Sequence, residues 1–85
     1  MCAVIPVIDL AATGANITKL RKKSGLTVRD LQHVLGFANP QAIYKWQSGS
    51  CLPTVDNLLA LSRILHVRME NLLVCEDQGV IFWKK

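Results

Sequence analysis

The chain has 85 residues and a formal net charge of +4, and a chain of this length suits one small domain with a modest core. Apolar residues make up 51% of it, which favours folding over disorder, yet no apolar run approaches the ~20 residues that cross a bilayer. The N-terminal segment has no basic residue before its apolar stretch and contains Asp9, so it is a poor signal peptide. We therefore expect a cytoplasmic protein with no membrane segment.

The charges are unevenly distributed along the chain. Four basic residues, Lys19, Arg21, Lys22 and Lys23, cluster within five positions, and Arg29 and Lys45 follow. The acidic residues Glu70, Glu76 and Asp77 lie near the other end. A basic pole suits a polyanion such as DNA, although a solvated helix face explains residues 19–23 equally well.

No arrangement of residues predicts catalysis or a metal site. Cys2, Cys51 and Cys75 are too few and too scattered for a disulfide scaffold or a zinc site, so we expect reduced thiols. His33 and His66 have no metal-binding partner at ligand spacing. The sequence contains no nucleophile–histidine set, no paired carboxylates and no phosphate loop, so we expect no enzyme activity and no cofactor.

The first predicted element is a short strand over residues 4–8, because β-branched residues dominate that segment. Pro6 would confine the strand to the edge of a sheet. The first helix is predicted from Gly14 to Lys23, with Thr13 as its N-cap.

Two further helices follow in close succession. The second is predicted to begin after Thr27, which forms a capping-box pattern with Asp30 and precedes apolar residues at helical spacing. The third is predicted over residues 40–48, with Asn39 as the cap and Pro40 in the first helical position, where proline is favoured.

A fourth helix is predicted after its cap Thr54, and a short fifth helix over Met69–Leu73. Residues 77–79 are predicted to break the chain, and a second short strand is predicted over Val80–Trp83. Helical spacing predicts a core made of Ile17, Leu20, Leu31, Leu35, Ile43, Trp46, Leu58, Leu61, Leu65 and Leu72. Leu59 and Ile64 lie off this face and have no evident core partner.

Helices two and three, joined by a short turn that begins with glycine, have the arrangement of a helix-turn-helix. A set of residues at characteristic spacing runs through this part of the chain: Leu26, Thr27, Leu31, Leu35, Gly36, Ile43, Trp46, Gly49, Leu52, Pro53, Leu58, Leu61, Leu65 and Val67. In this set the chain resembles the lambda-repressor/Cro-type family of DNA-binding domains. The resemblance implies an all-α, five-helix domain over residues 13–74. The N-terminal extension (1–12) and the C-terminal tail (75–85) lie outside it, and their composition allows each to form a strand.

The sequence departs from the family pattern at several positions. The turn over residues 37–39 is one residue longer than usual. Val28 occupies the position where the family often has a phosphate-binding Gln, and Arg68 replaces a common Ser. Gln47 replaces a Glu that pairs with the arginine of helix one, so we expect Arg21 to have a neutral hydrogen-bond partner.

The resemblance places helix three in the major groove of DNA, where outward side chains reach base edges. The predicted DNA-binding residues are Gln41, Lys45, Tyr44, Asn39, Pro40, Thr27, Arg29, Ser48, Lys19 and Lys22. Gln41 and Lys45 rank first, since glutamine pairs with adenine and lysine donates to guanine. Thr27 is explained equally well as a helix cap.

The leading functional interpretation is a sequence-specific regulator of transcription, expected to act as a repressor on double-stranded DNA and as a homodimer. The alternative is an antitoxin-like or partner-binding module that uses the same fold to hold another protein. The apolar segments at both ends suggest a small sheet that packs against helices four and five and contributes to the dimer. Alternatively, they cover the core of a monomer.

Overall fold

A computed structural model describes the backbone of residues 2–82 and the side chains of residues 7–75. Its elements in chain order are β1 (Cys2–Ile8), α1 (Leu10–Lys23), α2 (Val28–Leu35), α3 (Gln41–Ser48), α4 (Val55–Ile64), α5 (Met69–Leu72) and β2 (Cys75–Phe82). The predicted fold of five helices with short terminal strands is confirmed. None of the described helices has the length and apolar character that a membrane span requires.

The core lies among the five helices and closely matches the prediction. Its buried apolar members are Ile17, Leu31, Ile43, Trp46, Leu58, Leu61, Leu65 and Leu72. The two other predicted members, Leu20 and Leu35, are partly buried and pack against this cluster. Ile64 also packs against it, contrary to expectation, whereas Leu59 is 47% exposed.

Helix α1 begins four residues earlier than predicted. Asp9 is its N-cap and accepts a 2.9 Å hydrogen bond from the backbone N–H of Ala12. Thr13, the predicted cap, is instead buried inside the helix, where its hydroxyl donates to the carbonyl of Val74 and accepts from the Val74 N–H. These bonds join the start of α1 to the chain between α5 and β2.

The start of α1 was predicted too late because Gly14 is typical of a helix boundary, yet it lies within α1. A Cβ atom at Gly14 would stand 2.3 Å from the carbonyl oxygen of Trp46 and 2.6 Å from that of Gln47. Only glycine allows the backbones of α1 and α3 to approach so closely. On the other side of this contact, a Cβ atom at Gly49 would meet the backbone of Ala11 at 2.8 Å. The end of α3 is therefore fixed against the start of α1.

The two strands pair with each other as an antiparallel ribbon. The ladder starts beside the helices, where the N–H of Asp9 donates to the carbonyl of Val74 at 2.8 Å. Val4 pairs with Val80 and Pro6 with Asp77, so β2 has one extra residue between these pairs, which is a β-bulge. The predicted chain break at 77–79 is thus wrong, because the irregularity is accommodated within a continuous strand.

The ribbon does not dock as expected. Neither strand makes an extensive contact with α4 or α5, and the dimensions of 49 × 23 × 21 Å reflect a ribbon that extends away from the helices. Val7 and Ile8, at its base, are 41% and 38% exposed. The expectation that the sheet packs against helices four and five is therefore wrong, and Trp83, the last residue of the predicted strand, lies outside the described residues.

Candidate nucleic-acid interface

Helix α3 begins at Gln41, one residue later than predicted. Its N-cap is Pro40, which has no side chain able to cap. Asn39 supplies the missing acceptor from one residue further back, because its Oδ1 accepts a 3.1 Å hydrogen bond from the N–H of Gln41. The amide NH₂ of Asn39 stays available as a donor on an exposed side chain.

The two faces of α3 differ sharply. Ile43 and Trp46 are buried, and the ring of Phe37 packs edge-on against Trp46 with centroids 5.7 Å apart. The exposed side chains, spaced so that they share the opposite face, are Gln41, Tyr44, Lys45 and Ser48. The core side of α3 therefore fixes which residues it presents outward.

These outward residues differ in their freedom to bind a ligand. Among the described residues, no hydrogen bond engages the side chains of Gln41, Tyr44 or Lys45. The Ser48 hydroxyl, in contrast, donates to the carbonyl of Lys45 at 3.1 Å and lies 2.8 Å from the hydroxyl of Ser50. A phosphate contact by Ser48 would have to replace one of those bonds, which makes it the weakest binding candidate on this face.

The start of α2 is closed by the predicted capping box. Thr27 Oγ1 accepts from the N–H of Asp30 at 3.0 Å, and Asp30 Oδ2 accepts from the N–H of Thr27 at 2.9 Å. Hydrogen bonds to the carboxylate from the Thr27 backbone N–H and, second, from the Thr27 hydroxyl lower the pKa of Asp30, so its carboxylate is charged near neutral pH. The Thr27 hydroxyl can donate to a phosphate only by giving up its bond to the Asp30 carboxylate, and the carboxylate at the helix start opposes a phosphate there. Sequence reasoning used Asp30 as a cap and missed this electrostatic effect.

Arg21 connects the three helices around the candidate interface. Its Nε donates to Oε1 of Gln47 at 3.0 Å, and its Nη1 donates to the carbonyl of Leu26 at 2.8 Å. The predicted neutral partner for Arg21 is therefore confirmed. The basic end of α1, with Lys19 and Lys22 exposed, is thereby joined to the chain entering α2 and to α3.

The remaining positions near α2 divide between solvent and core. Arg29 is exposed, whereas Val28 packs against the core and has no group that can bind a phosphate. Residues 7–75 enclose no detected pocket and bring together no three side chains able to hold a metal ion.

A family model described as helix-turn-helix matches residues 17–72, a range that contains all of α2, α3 and α4. No curated protein matches the sequence significantly.

Solved structures show the same fold. The restriction-modification controller protein C.AhdI from Aeromonas hydrophila superposes with a TM-score of 0.67 at 23% identity, over 75% of this chain and 96% of that one. The clp gene regulator ClgR from C. glutamicum superposes with a TM-score of 0.63 at 19% identity, over 73% of this chain and 79% of that one. The DNA-binding domain of BldD gives 0.64 with 20% identity over 76% and 93%.

Proposed function

Because the chain belongs to the helix-turn-helix family of the lambda-repressor/Cro type, we propose that it regulates transcription by binding double-stranded DNA in a sequence-specific manner, with α3 in the major groove. The observation that carries the proposal is the outward face of α3, where Gln41, Tyr44 and Lys45 are exposed and make no hydrogen bonds within the described structure. Such side chains are free to pair with base edges without giving up a bond that stabilises the fold.

Gln41 and Lys45 carry the base readout in this proposal. They lie one helical turn apart on the same face, so they reach neighbouring base pairs. A glutamine side chain both donates and accepts, which suits N6 and N7 of adenine, and a lysine donates to O6 and N7 of guanine. Tyr44, which is 52% exposed between them, contacts a thymine methyl or a phosphate.

The surrounding residues position the protein on the phosphate backbone. Lys19, Lys22 and Arg29 contribute positive charge that favours every DNA sequence alike. Asn39 keeps an amide donor after capping α3, and Thr27 contacts a phosphate only by exchanging its bond to Asp30. Pro40 fixes the entry of α3, and Ser48 contributes least.

We further propose repression as the mode of action, a homodimer as the binding form and the cytoplasm as the location. A single helix-turn-helix contacts few base pairs, and proteins with this motif commonly pair to read half-sites ~34–36 Å apart. Repression requires only that the protein occupy its site. The similar structures include those of a restriction-modification controller protein and of a clp gene regulator, which supports regulation without giving its sign.

The first test is selection of bound sequences from a random DNA pool, followed by titrations of the best site and of random DNA at several salt concentrations. Gln41→Ala should cost about 1–3 kcal/mol on the best site and relax the preference at one base position. Lys22→Ala should weaken binding to all DNA sequences alike and reduce the slope of log affinity against log salt concentration by about 1.

Arg63→Ala is the matched control, because it removes a positive charge from an exposed position on α4. It should change neither the consensus nor the specific affinity appreciably. Equal loss by Gln41→Ala on specific and random DNA would refute base reading by Gln41. Absence of salt-dependent, sequence-selective binding would instead favour the partner-binding alternative.

A further inference from the structure

Gln32, near the end of α2, binds both backbone groups of Phe37, which lies in the turn leading to α3. The Gln32 carbonyl accepts a 3.0 Å hydrogen bond from the Phe37 N–H, and the His33 carbonyl accepts one of 3.1 Å from the N–H of Gly36. With Gly36 at a φ of 73°, these bonds form the Schellman motif that ends many helices. The Nε2 of Gln32 then donates back to the Phe37 carbonyl at 3.3 Å. One partly buried side chain thus adds a second bond to the motif.

The side chain of Phe37 links this turn to α3. Phe37 packs against the core, and its ring meets that of Trp46 edge-on, with centroids 5.7 Å apart and 69° between the ring planes. Trp46 is buried on the inward face of α3. A continuous series of contacts therefore runs from Gln32 through Phe37 to Trp46, and so from α2 to α3.

The position of α3 relative to α2 depends on this turn more than on direct packing. The contact between α2 and α3 is much smaller than that between α1 and α3, where Gly14 allows the two backbones to approach closely. Arg21 joins α3 to the carbonyl of Leu26, but that residue precedes α2. Helix α3 is therefore held chiefly by α1, and the turn sets where α2 lies beside it.

The turn between the two helices is anchored at two points. Five residues, 36–40, separate α2 from α3. Gln32 anchors the first part of this segment at Phe37. Asn39 anchors the last part by accepting from the N–H of Gln41, and the exposed Ala38 lies between the two. Because each free backbone residue has many conformations to restrict, losing the first anchor releases a large part of the turn.

We propose that Gln32 is a positioning residue for DNA recognition, which fixes the placement of α3 relative to α2 by binding Phe37. This inference rests on, and deepens, the proposed function, in which α3 reads bases while the start of α2 approaches the phosphate backbone. Both contacts form at one site only if the two helices are held in a fixed relation. Gln32 itself touches no base. Its loss weakens selectivity at every base position that α3 reads, whereas loss of Gln41 relaxes one position.

The test compares two substitutions of Gln32 in the full chain. Gln32→Met keeps the length of the side chain but has no donor, and Gln32→Lys can again donate to the Phe37 carbonyl. Affinities are measured on the best selected site and on random DNA at one salt concentration. In Gln32→Met we expect the ratio of these affinities to fall about three- to tenfold, the scale of one net hydrogen bond, with weaker preference across the whole consensus. Gln32→Lys should recover most of the ratio, which cancels the general effect of its added charge.

A second measurement needs no DNA. In NMR spectra of the free protein, the ring of Phe37 shifts the indole resonances of Trp46, and the bond to the Gln32 carbonyl slows exchange of the Phe37 amide hydrogen. Gln32→Met should move those resonances and speed that exchange, and Gln32→Lys should reverse both changes. His33→Met, at the exposed next position of α2, is the control and should change neither the Trp46 resonances nor the affinity ratio.

The proposal is overturned if Gln32→Met keeps the affinity ratio and the Trp46 resonances of the unchanged chain. It is also overturned if Gln32→Met loses affinity for specific and random DNA in equal proportion, as a merely less stable protein would, or if it relaxes a single base position, as a base-reading residue would. Sequence-selective binding by the unchanged chain separates these outcomes from a failure of the proposed function. If that binding is absent, the proposed function fails and this inference fails with it.

Discussion

Replacing Gly14 with alanine tests whether the backbone contact between α1 and α3 holds the α3 helix in place. The added Cβ would lie 2.3 Å from the Trp46 carbonyl oxygen and 2.6 Å from that of Gln47. A carbon and an oxygen in ordinary contact are more than 3 Å apart, so the helices must separate by about 1 Å. Both obstacles are backbone atoms, and no side-chain rotation relieves the overlap.

The expected effect is a net loss of stability. Glycine to alanine inside a helix gains about 1 kcal/mol of helix propensity, whereas overpacking at a rigid contact costs about 1–3 kcal/mol or more. Because the overlap here is with backbone on two carbonyls, we expect a net loss of about 1–2 kcal/mol. For a domain of this size that corresponds to a melting temperature lower by about 4–16 °C.

Thermal and urea unfolding followed by circular dichroism measure this change. Ala15→Gly is the matched control, because Ala15 is the exposed neighbour of Gly14 in α1 and the reverse substitution there measures the propensity alone, a loss of about 1 kcal/mol. If Gly14→Ala stabilises the protein by as much as Ala15→Gly destabilises it, the helices are not in close contact and the reasoning fails.

Four further substitutions test local features. His66 has a φ of 56°, so His66→Gly should raise the free energy of unfolding by about 0.5–1 kcal/mol. Gly25 has a φ of 73° and open space around it, so Gly25→Ala should lower that free energy by about 1 kcal/mol. If urea unfolding shows that both substitutions change the free energy in the same direction, the backbone argument is contradicted. The lowered pKa of Asp30 stabilises the fold above the unfolded-state pKa of about 4, and this contribution is lost as the pH falls through the lower folded-state pKa. The melting temperature of Asp30→Asn should therefore fall less steeply with decreasing pH on the acid side. An unchanged pH profile would count against this role of Asp30. Gln47→Glu converts the 3.0 Å hydrogen bond from Arg21 into an ion pair and should raise the free energy of unfolding by up to about 1 kcal/mol at low salt. If the same gain is measured in the Arg21→Ala background, the ion pair is not its source.

Features set by local sequence could be predicted, and the capping box is the clearest case. Thr27 and Asp30 are three residues apart, so their mutual bonds depend on little else. The buried face of α3 could also be predicted, because the spacing of Ile43 and Trp46 places both residues on one side of the helix. The same logic identified the outward residues Gln41 and Lys45, whose contacts with DNA stay a prediction.

Features set by contacts between distant segments could not be predicted. Gly14 signals a helix boundary in isolation, and only the backbone of α3 explains why it lies inside a helix. Asp9, a favourable N-cap residue, was the available signal for the true start of α1. Likewise, the bulge in β2 depends on the register with β1, which neither segment specifies alone.

The pairing at Asp9 and Val74 also leads us to expect a particular order of folding. The ribbon joins opposite ends of the sequence, so forming it first would close a long loop at an entropic cost. The contact between α1 and α5, in which Asn16 donates to the carbonyl of Asn71, closes most of that loop beforehand. Once α1 and α5 are in place, Asp9 and Val74 are already neighbours, and the strands can pair outward from that point. Amide hydrogens of the ribbon should therefore exchange with solvent through local opening, while those around Ile17 and Leu61 exchange only on global unfolding. We therefore expect warming to separate the strands before it melts the helices.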